Sequence, residues 1–344
     1  MSMQTHFKNI FVGKDPFNDI LGQSEVKTQL KSALLVNRHV LIIGPPGIGK
    51  TTLAKNVAKL LPDIEVNDCN YHCSTDNPIC PECLLELKSK EKIKTKKMSG
   101  VERFVRIQGS PDLTAEDLIG DIDPLKAMKY GPLSIEAFTP GKIFKANNGI
   151  LFFDELNRCP EKLQNALLQT LAEGIATIGS YDVDIKANFI FIGTMNPKDT
   201  STERLSDVLL DRFDVIYMHH PENAEIEKSI VRRVGIKLVE FPESVLQTTI
   251  EFIRVLRDNK KLEKIPSVRA SIGLYERAQA NAFLRGKKTV DFTDVEDAMT
   301  SVLSHRIKLK PAAEYVQSPS EFIKEAFSNF AEGKGLGEGK GGSL

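Results

Sequence analysis

The sequence predicts an α/β protein with a parallel β-sheet, followed by a smaller helical domain. Before Pro221, short apolar runs rich in β-branched and aromatic residues alternate with segments of helical periodicity. Such alternation of strands and helices is typical of parallel sheets. The five strand-like runs are Val40–Ile43, Phe104–Ile107, Ile150–Phe153, Phe189–Ile192 and Val215–Met218.

The composition limits the classes of protein to which the chain can belong. Its 344 residues are enough for two domains. Because 46 Lys and Arg residues balance 46 Asp and Glu residues, no bulk positive charge attracts nucleic acid or acidic lipid, and nucleic-acid binding is not expected. No apolar stretch approaches the roughly 18 residues of a membrane span, and residues 1–18 lack the apolar core of a signal peptide. With five cysteines, too few for a disulfide scaffold, the chain is expected to be cytoplasmic.

Differences in hydrophobic periodicity and composition along the sequence suggest three regions. Residues 1–222 are expected to form the α/β domain, and helical patterning predicts a helical domain over 223–310. In that domain, Thr293 and Glu296 have the spacing of a capping box at a helix start. Residues 311–344 are expected to contain a helix over Ser320–Phe330 and a disordered glycine-rich tail.

The strongest motif lies between the first strand and a helical pattern. Residues 44–51 read GPPGIGKT and match the phosphate-binding pattern G-x-x-x-x-G-K-[ST]. Glycines let backbone N–H groups surround the phosphates, while Lys50 is expected to reach the β- and γ-phosphates and Thr51 to ligate Mg²⁺. The motif therefore predicts binding of ATP with Mg²⁺. The expected binding residues are Gly44, Pro45, Gly47, Ile48, Gly49, Lys50, Thr51, Thr52 and Asp154.

Polar residues near the ends of later strands are candidates for catalysis. Asp154 and Glu155 follow the third strand, at the edge where parallel sheets bind ligands. Asp154 is expected to hold Mg²⁺ together with Thr51, and Glu155 to polarise the attacking water. Asn196 follows the fourth strand and is a candidate to orient that water, the alternative being an Asn-Pro turn. Arg212 precedes the last strand and is a candidate arginine finger, the alternative being an Asp–Arg surface pair.

With these motifs in this order, the chain resembles the AAA+ ATPases over about residues 15–310. Within them it is most similar to the branch of MoxR proteins and magnesium-chelatase I-subunits. Residues 20–23 (ILGQ) resemble the family's segment near the adenine, residues 154–158 (DELNR) the extended Walker B motif, and residues 194–197 (TMNP) sensor 1. Residues 266–270 (PSVRA) resemble sensor 2, which makes Arg269 an expected contact of the γ-phosphate.

The resemblance also implies an architecture. Residues 121–145 look like the helix 2 insert of this clade, and Ala176–Asp184 looks like its pre-sensor hairpin. The family's P-loop NTPase sheet has five parallel strands in the order 5-1-4-3-2, followed by a helical lid. Its members form hexameric rings with ATP between neighbours, so Arg212 would act on the adjacent subunit's nucleotide. They remodel partner proteins, often ones with a von Willebrand A domain, and no stretch of this chain resembles that domain.

A cysteine-bearing segment, residues 66–100, brings the chain closer to chelatase I-subunits than to plain MoxR proteins. Its cysteines have the spacing C-x3-C-x6-C-x2-C, at Cys69, Cys73, Cys80 and Cys83. In a reducing compartment, four thiols this close favour a tetrahedral Zn²⁺ site over disulfides. An iron–sulfur cluster or redox pair and uncoordinated thiols are the alternatives. Six lysines between Lys88 and Lys97 are expected to lie in a solvated loop, the alternative being a docking patch.

The expected function is Mg²⁺-dependent ATP hydrolysis by an oligomeric ring that remodels, loads or activates a partner protein. One alternative is the ATPase motor of a metal chelatase, which needs a separate porphyrin-binding subunit. A second is a motor that translocates nucleic acid. A third, a nucleotide-gated scaffold without appreciable hydrolysis, is disfavoured by Glu155, Asn196 and Arg212.

Overall fold

The chain folds into two compact units. The computed structural model describes residues 3–13, 15–90, 92–131, 134–178, 183–197 and 205–334. The first unit comprises Met1–Gly44 and Gly49–Met218, and the second comprises Pro45–Ile48 and His219–Leu344. In the described ranges, no helix is long and apolar enough to cross a membrane.

A five-stranded parallel sheet forms the centre of the first unit. The strands lie in the order β5-β1-β4-β3-β2, and every neighbouring pair is parallel. This arrangement confirms the predicted fold class and strand order. In chain order, the strands are β1 (His39–Ile43), β2 (Phe104–Gln108), β3 (Gly149–Asp154), β4 (Phe189–Met195) and β5 (Phe213–Tyr217).

Burial on both faces explains why the central strands read as continuous apolar runs. Neighbouring side chains of a strand point to opposite faces, and both Phe152 and Phe153 of β3 are fully buried. The last strand differs from the predicted Val215–Met218, since β5 begins at Phe213 and ends at Tyr217. Met218 N still donates to Ile43 O at 2.8 Å, which extends the pairing with β1 by one hydrogen bond.

Helices and short antiparallel hairpins complete the first unit. The helices are Met3–Phe11, Ser24–Leu35, Lys50–Leu60, Pro81–Lys88, Ala115–Ile119, Pro124–Tyr130, Lys142–Lys145, Glu161–Glu173 and Asp207–Leu210, with 3-10 turns at Ile135–Ala137 and Leu156–Arg158. The hairpins pair Ile64–Asn67 with Thr95–Met98, Gly120–Ile122 with Phe138–Pro140, and Ile175–Ile178 with Val183–Lys186. The last hairpin occupies the region expected for the pre-sensor hairpin, of which residues 179–182 lie outside the described residues.

The second unit is mainly helical. Its helices are Ala224–Val234, Glu243–Arg257, Val268–Leu284, Phe292–Leu303, Pro311–Glu314 and Pro319–Gly333, and Leu262–Lys264 pairs with Lys308–Leu309. The predicted cap at Thr293 was wrong. Asp291 caps that helix and forms a capping box with Asp294, because its carboxylate accepts from Asp294 N at 3.1 Å. Residues 335–344, where a disordered tail is expected, lie outside the described residues.

Candidate active site and cysteine cluster

The glycine-rich loop has the backbone geometry that a phosphate site needs. It connects β1 to the helix Lys50–Leu60, and Gly47 and Gly49 have φ of +76° and +101°. Only glycine adopts such angles without strain. Lys50 Nζ donates to Gly44 O at 2.6 Å, so the lysine side chain lies over the loop. A helix N-terminus with a nearby ammonium group is a favourable site for phosphate.

Asp154 and Glu155 are held at the end of β3 by a hydroxyl from β4. Thr194 is fully buried, and its Oγ1 donates to Asp154 Oδ1 at 2.7 Å. The same oxygen accepts from Glu155 N at 3.0 Å. The hydroxyl of Thr194 on β4 therefore orients the Asp154 carboxylate and holds the backbone of Glu155 at the end of β3.

Glu155 has an uncommon backbone conformation. Its φ of +58° and ψ of +52° lie in the left-handed region, which costs a residue with a side chain about 1–2 kcal/mol. Gly109 packs directly against this turn, since a Cβ on Gly109 would lie 2.1 Å from Glu155 O. Gly109 N also donates to Asp154 O at 2.7 Å. The close approach of Gly109 thus stabilises a turn that is intrinsically unfavourable.

Two residues of β2 that sequence reasoning missed contact the carboxylates. Arg106 Nη2 lies 2.7 Å from Asp154 Oδ2, and Gln108 Nε2 donates to Glu155 Oε2 at 2.9 Å. Arg158 Nη1 also lies 3.1 Å from Glu155 Oε2. Both carboxylates are therefore already paired with donors. A signal for these residues is present in the sequence. Arg106 and Gln108 alternate with the apolar Ile107 at the end of β2, and the expected strand order places β2 next to β3.

The predicted Asn196 lies at the same edge of the sheet. It directly follows β4, and its backbone oxygen accepts from Asn157 Nδ2 at 3.4 Å. Because β3 and β4 are parallel and in register, residues that follow them lie side by side. The arrangement brings Asn196 to the edge that carries Asp154 and Glu155.

Arg212 lies at the other end of the strands, next to the N-terminal ends of β5 and β1. It precedes Phe213, which pairs with His39 at the start of β1, whereas the phosphate loop follows the end of β1. Five strand residues at about 3.3 Å each separate these ends by about 16 Å. Arg212 Nη1 donates to Val208 O at 2.6 Å. The chain therefore does not bring Arg212 to its own phosphate loop.

Arg269 belongs to the second unit, where it is the second residue of the helix Val268–Leu284. Residues 45–48 belong to the same unit. A Cβ on Gly47 would lie 3.0 Å from Arg269 Cγ and 2.8 Å from Ser267 Oγ. The side chain of Arg269 thus packs against the middle of the phosphate loop.

The cysteine-bearing segment brings its four sulfur atoms together. The Sγ atoms of Cys69, Cys73, Cys80 and Cys83 all lie within 4.8 Å of one another, and each residue is at most 8% exposed. Hydrogen bonds from the thiols of Cys73 and Cys80 lower the pKa of Cys69, whereas burial raises the pKa of Cys83 to about 12. Cys159 is buried outside this cluster.

The lysine-rich stretch is not the continuous loop that was expected. Lys88 ends the helix Pro81–Lys88, and Lys96 and Lys97 lie in the strand Thr95–Met98. This strand pairs with Ile64–Asn67, which leads into the cysteines. Lys88, Lys96 and Lys97 therefore lie on a helix and a strand of the cysteine-bearing segment.

Comparison with known proteins identifies the family. Residues 89–215 match the family described as ATPase family associated with various cellular activities (AAA), residues 264–326 match the AAA lid domain, and residues 16–76 match magnesium chelatase, subunit ChlI. A magnesium-chelatase subunit ChlI homolog from Methanocaldococcus jannaschii is 31% identical, and the alignment covers 92% of each chain. The chain belongs to the magnesium-chelatase subunit ChlI family of AAA+ ATPases.

Other relatives agree with this assignment. The magnesium-chelatase subunit ChlI of Synechocystis sp. is 29% identical to this ChlI-family chain, covering 90% of it and 92% of the relative. The structure of a Thermotoga maritima RuvB mutant has a TM-score of 0.50 at 19% identity, covering 84% of this chain and 73% of that one, and shows the shared fold alone. The ChlI-family chain is an ATP hydrolase that uses ATP and Mg²⁺.

Proposed function

We propose that this chain is the motor subunit of a metal-chelatase-type assembly, in which a ring of its copies hydrolyses ATP and changes the conformation of a partner protein. The relatives are named as subunits of magnesium chelatase, so they act with other subunits. The observation that carries the ring is the position of Arg212, about 16 Å along the sheet from its own phosphate loop. A neighbouring copy would supply the missing arginine.

The phosphate loop and the β3 carboxylates would hold ATP and Mg²⁺. Lys50 and the loop N–H groups bind the phosphates, and Thr51 and Asp154 offer the oxygen ligands that Mg²⁺ prefers. When bound, the ion neutralises phosphate charge. Asp154 fits this role because Thr194 orients its Oδ1, although Arg106 would compete with the ion for Oδ2.

Glu155 would act as the general base for the attacking water. Gln108 and Arg158 both contact Oε2 of its carboxylate, so Oε1 is the oxygen that would accept the proton. Asn196 would orient the same water, and Arg269 would contact the γ-phosphate from the lid. In the ring, which we take to be a hexamer, Arg212 would stabilise the charge that develops on the transferred phosphoryl group.

The motor role can be tested with a variant that retains ATP. Glu155→Gln is expected to bind ATP without turning it over and so to hold its partner subunits. Purified porphyrin-binding subunit of the source organism should associate with this variant in the presence of ATP and Mg²⁺, and should raise the ATP turnover of the parent protein. Lys50→Ala serves as the control, because it should not bind ATP. If the subunit neither associates nor changes turnover, the chelatase assignment is refuted, and a partner of another class must be sought.

A further inference from the structure

We propose that the four cysteines bind one Zn²⁺ ion as thiolates and that this ion has a structural role, separate from ATP hydrolysis. The spacing of the sulfur atoms carries the proposal. Four ligands at metal–sulfur bonds of about 2.3 Å form a tetrahedron with edges of about 3.8 Å. All four Sγ atoms already lie within 4.8 Å of one another, so shifts of about 1 Å would complete the site.

The backbone around the cysteines is arranged for thiolates. Cys73 N donates to Cys69 Sγ at 3.4 Å, Ile79 N and Cys80 N both donate to Cys73 Sγ at 3.3 Å, and Cys83 N donates to Cys80 Sγ at 3.4 Å. A thiolate accepts such bonds better than a thiol does. Three of the four sulfurs therefore have N–H donors that orient them as metal ligands do.

The burial of the cysteines and the spacing of their sulfur atoms favour Zn²⁺ over an iron–sulfur cluster, a redox pair or uncoordinated thiols. Buried thiolates need a cation, because an unpaired buried charge costs several kcal/mol. A four-iron cluster separates its cysteine sulfurs by the cluster itself, which the spacing within 4.8 Å does not accommodate. The thiols of Cys69, Cys73, Cys80 and Cys83 are free, so no disulfide occupies the cluster. Four thiolates around Zn²⁺ carry a net charge of about −2. Lys96, whose Nζ lies 2.9 Å from Asp68 Oδ1, is one of the cations of the cysteine-bearing segment.

The cluster is anchored at the start of β3, away from the nucleotide. Asn147 Nδ2 donates to Tyr71 O at 3.1 Å, and Asn148 Nδ2 donates to His72 O at 3.3 Å. His72 Nδ1 donates to Lys145 O at 3.0 Å. These bonds attach the loop between the first two cysteines to the residues before Gly149, whereas Asp154 lies at the other end of β3, about 16 Å away. The ion would therefore tie residues 64–98 to the sheet without touching the reaction.

The first experiment measures metal in the full chain, purified under reducing conditions without chelator. Elemental analysis should find about one zinc per chain and no stoichiometric iron. After the zinc is removed and replaced by Co²⁺, the visible spectrum should show the intense bands of tetrahedral cobalt bound to thiolates. Hydrogen exchange should then report loss of protection across residues 64–98 in the metal-free protein, more than in the helices of the second unit.

Matched variants connect the ion to these residues. Replacing Cys80 and Cys83 together with serine should abolish zinc, whereas Cys159→Ser, which alters a buried cysteine outside the cluster, should retain it. Parent protein that contains no zinc, and takes up neither Zn²⁺ nor Co²⁺ after reduction, would overturn the proposal even if the double variant failed to fold. Stoichiometric iron, or zinc that persists in a folded double variant, would overturn it as well.

Discussion

Arg212 gives the sharpest test of how the copies of this protein cooperate. Replacing it with alanine removes the guanidinium group and leaves the phosphate loop and both β3 carboxylates intact. The variant should therefore bind ATP with Mg²⁺ as tightly as the parent. It should fail to turn ATP over at an appreciable rate, because Lys50, Arg269 and Mg²⁺ would not replace the charge stabilisation that an arginine finger gives the transferred phosphoryl group.

The size of the effect follows from the position of the residue. About 16 Å of strand separates Arg212 from its own phosphate loop, which is more than an arginine side chain spans. We therefore expect any contribution of Arg212 to the rate to be made in a neighbouring copy. A finger supplied by a neighbour increases the rate by about 10³–10⁵, equivalent to roughly 4–7 kcal/mol of transition-state stabilisation.

The assay measures ATP turnover against protein concentration and against the ratio of two inactive variants. Parent activity should rise more than linearly as rings assemble. Arg212→Ala and Lys50→Ala should each be inactive alone, yet a mixture should recover activity at interfaces that pair an intact Lys50 site with an intact Arg212. Arg38→Ala is the matched control, because Arg38 is exposed and precedes β1 at the same edge of the sheet. This control should turn ATP over at close to the parent rate.

Two results would refute the reasoning. The first is parent protein that hydrolyses ATP at full rate as a verified monomer. The second is a set of mixed rings that stay inactive at every ratio although both variants assemble. This result has one other explanation, which is a ring that hydrolyses ATP only when all its sites are intact. Rings that contain parent subunits and few Lys50→Ala subunits separate these cases, since a strictly concerted ring would lose all activity with one defective subunit.

Three further outcomes are expected. Lys50→Ala should abolish ATP binding, whereas Glu155→Gln should preserve it and lower turnover by at least about 100-fold in single-turnover measurements, the low end for a positioned base. Arg106→Ala should lower the Mg²⁺ concentration for half-maximal turnover, because Asp154, the proposed Mg²⁺ ligand, loses its competing cation; an unchanged Mg²⁺ dependence would contradict this. Gly109→Ala should destabilise the protein by about 1–3 kcal/mol in thermal unfolding, since its Cβ would meet the Glu155 carbonyl at 2.1 Å, whereas Gly333→Ala, with open space around it, should not.

The sequence was informative wherever function constrains several neighbouring residues at once. The phosphate loop needs glycines at fixed spacing before a helix, and buried parallel strands need apolar runs, so both could be predicted. The contacts of Arg106 and Gln108 were not predicted, because they form only when β2 pairs with β3, which is distant in sequence. The helix cap at Asp291 was misplaced to Thr293 because both positions offer a plausible capping sequence, and packing decides between them.

The cysteine cluster likewise combines a local pattern that could be predicted with contacts between distant segments that could not. The spacing of four cysteines predicted that they could meet at one ion, and the structure brings them together. The anchoring of that loop by Asn147 and Asn148 could not be predicted, because these amides follow no motif and act across more than 70 residues of chain. Pairings of this kind depend on tertiary structure rather than on local pattern.

The hydroxyl of Thr194 couples the Asp154 carboxylate to the backbone of Glu155. One oxygen atom gives its proton to Asp154 and takes the N–H of Glu155, so a change of charge at the first carboxylate repolarises the bond that holds the second residue. A divalent cation at Asp154 would weaken the carboxylate as an acceptor from Thr194. The change would also weaken the bond that the Thr194 oxygen accepts from Glu155 N. An isosteric valine would keep the packing but remove both hydrogen bonds, leaving the Asp154 carboxylate and the Glu155 backbone without this link.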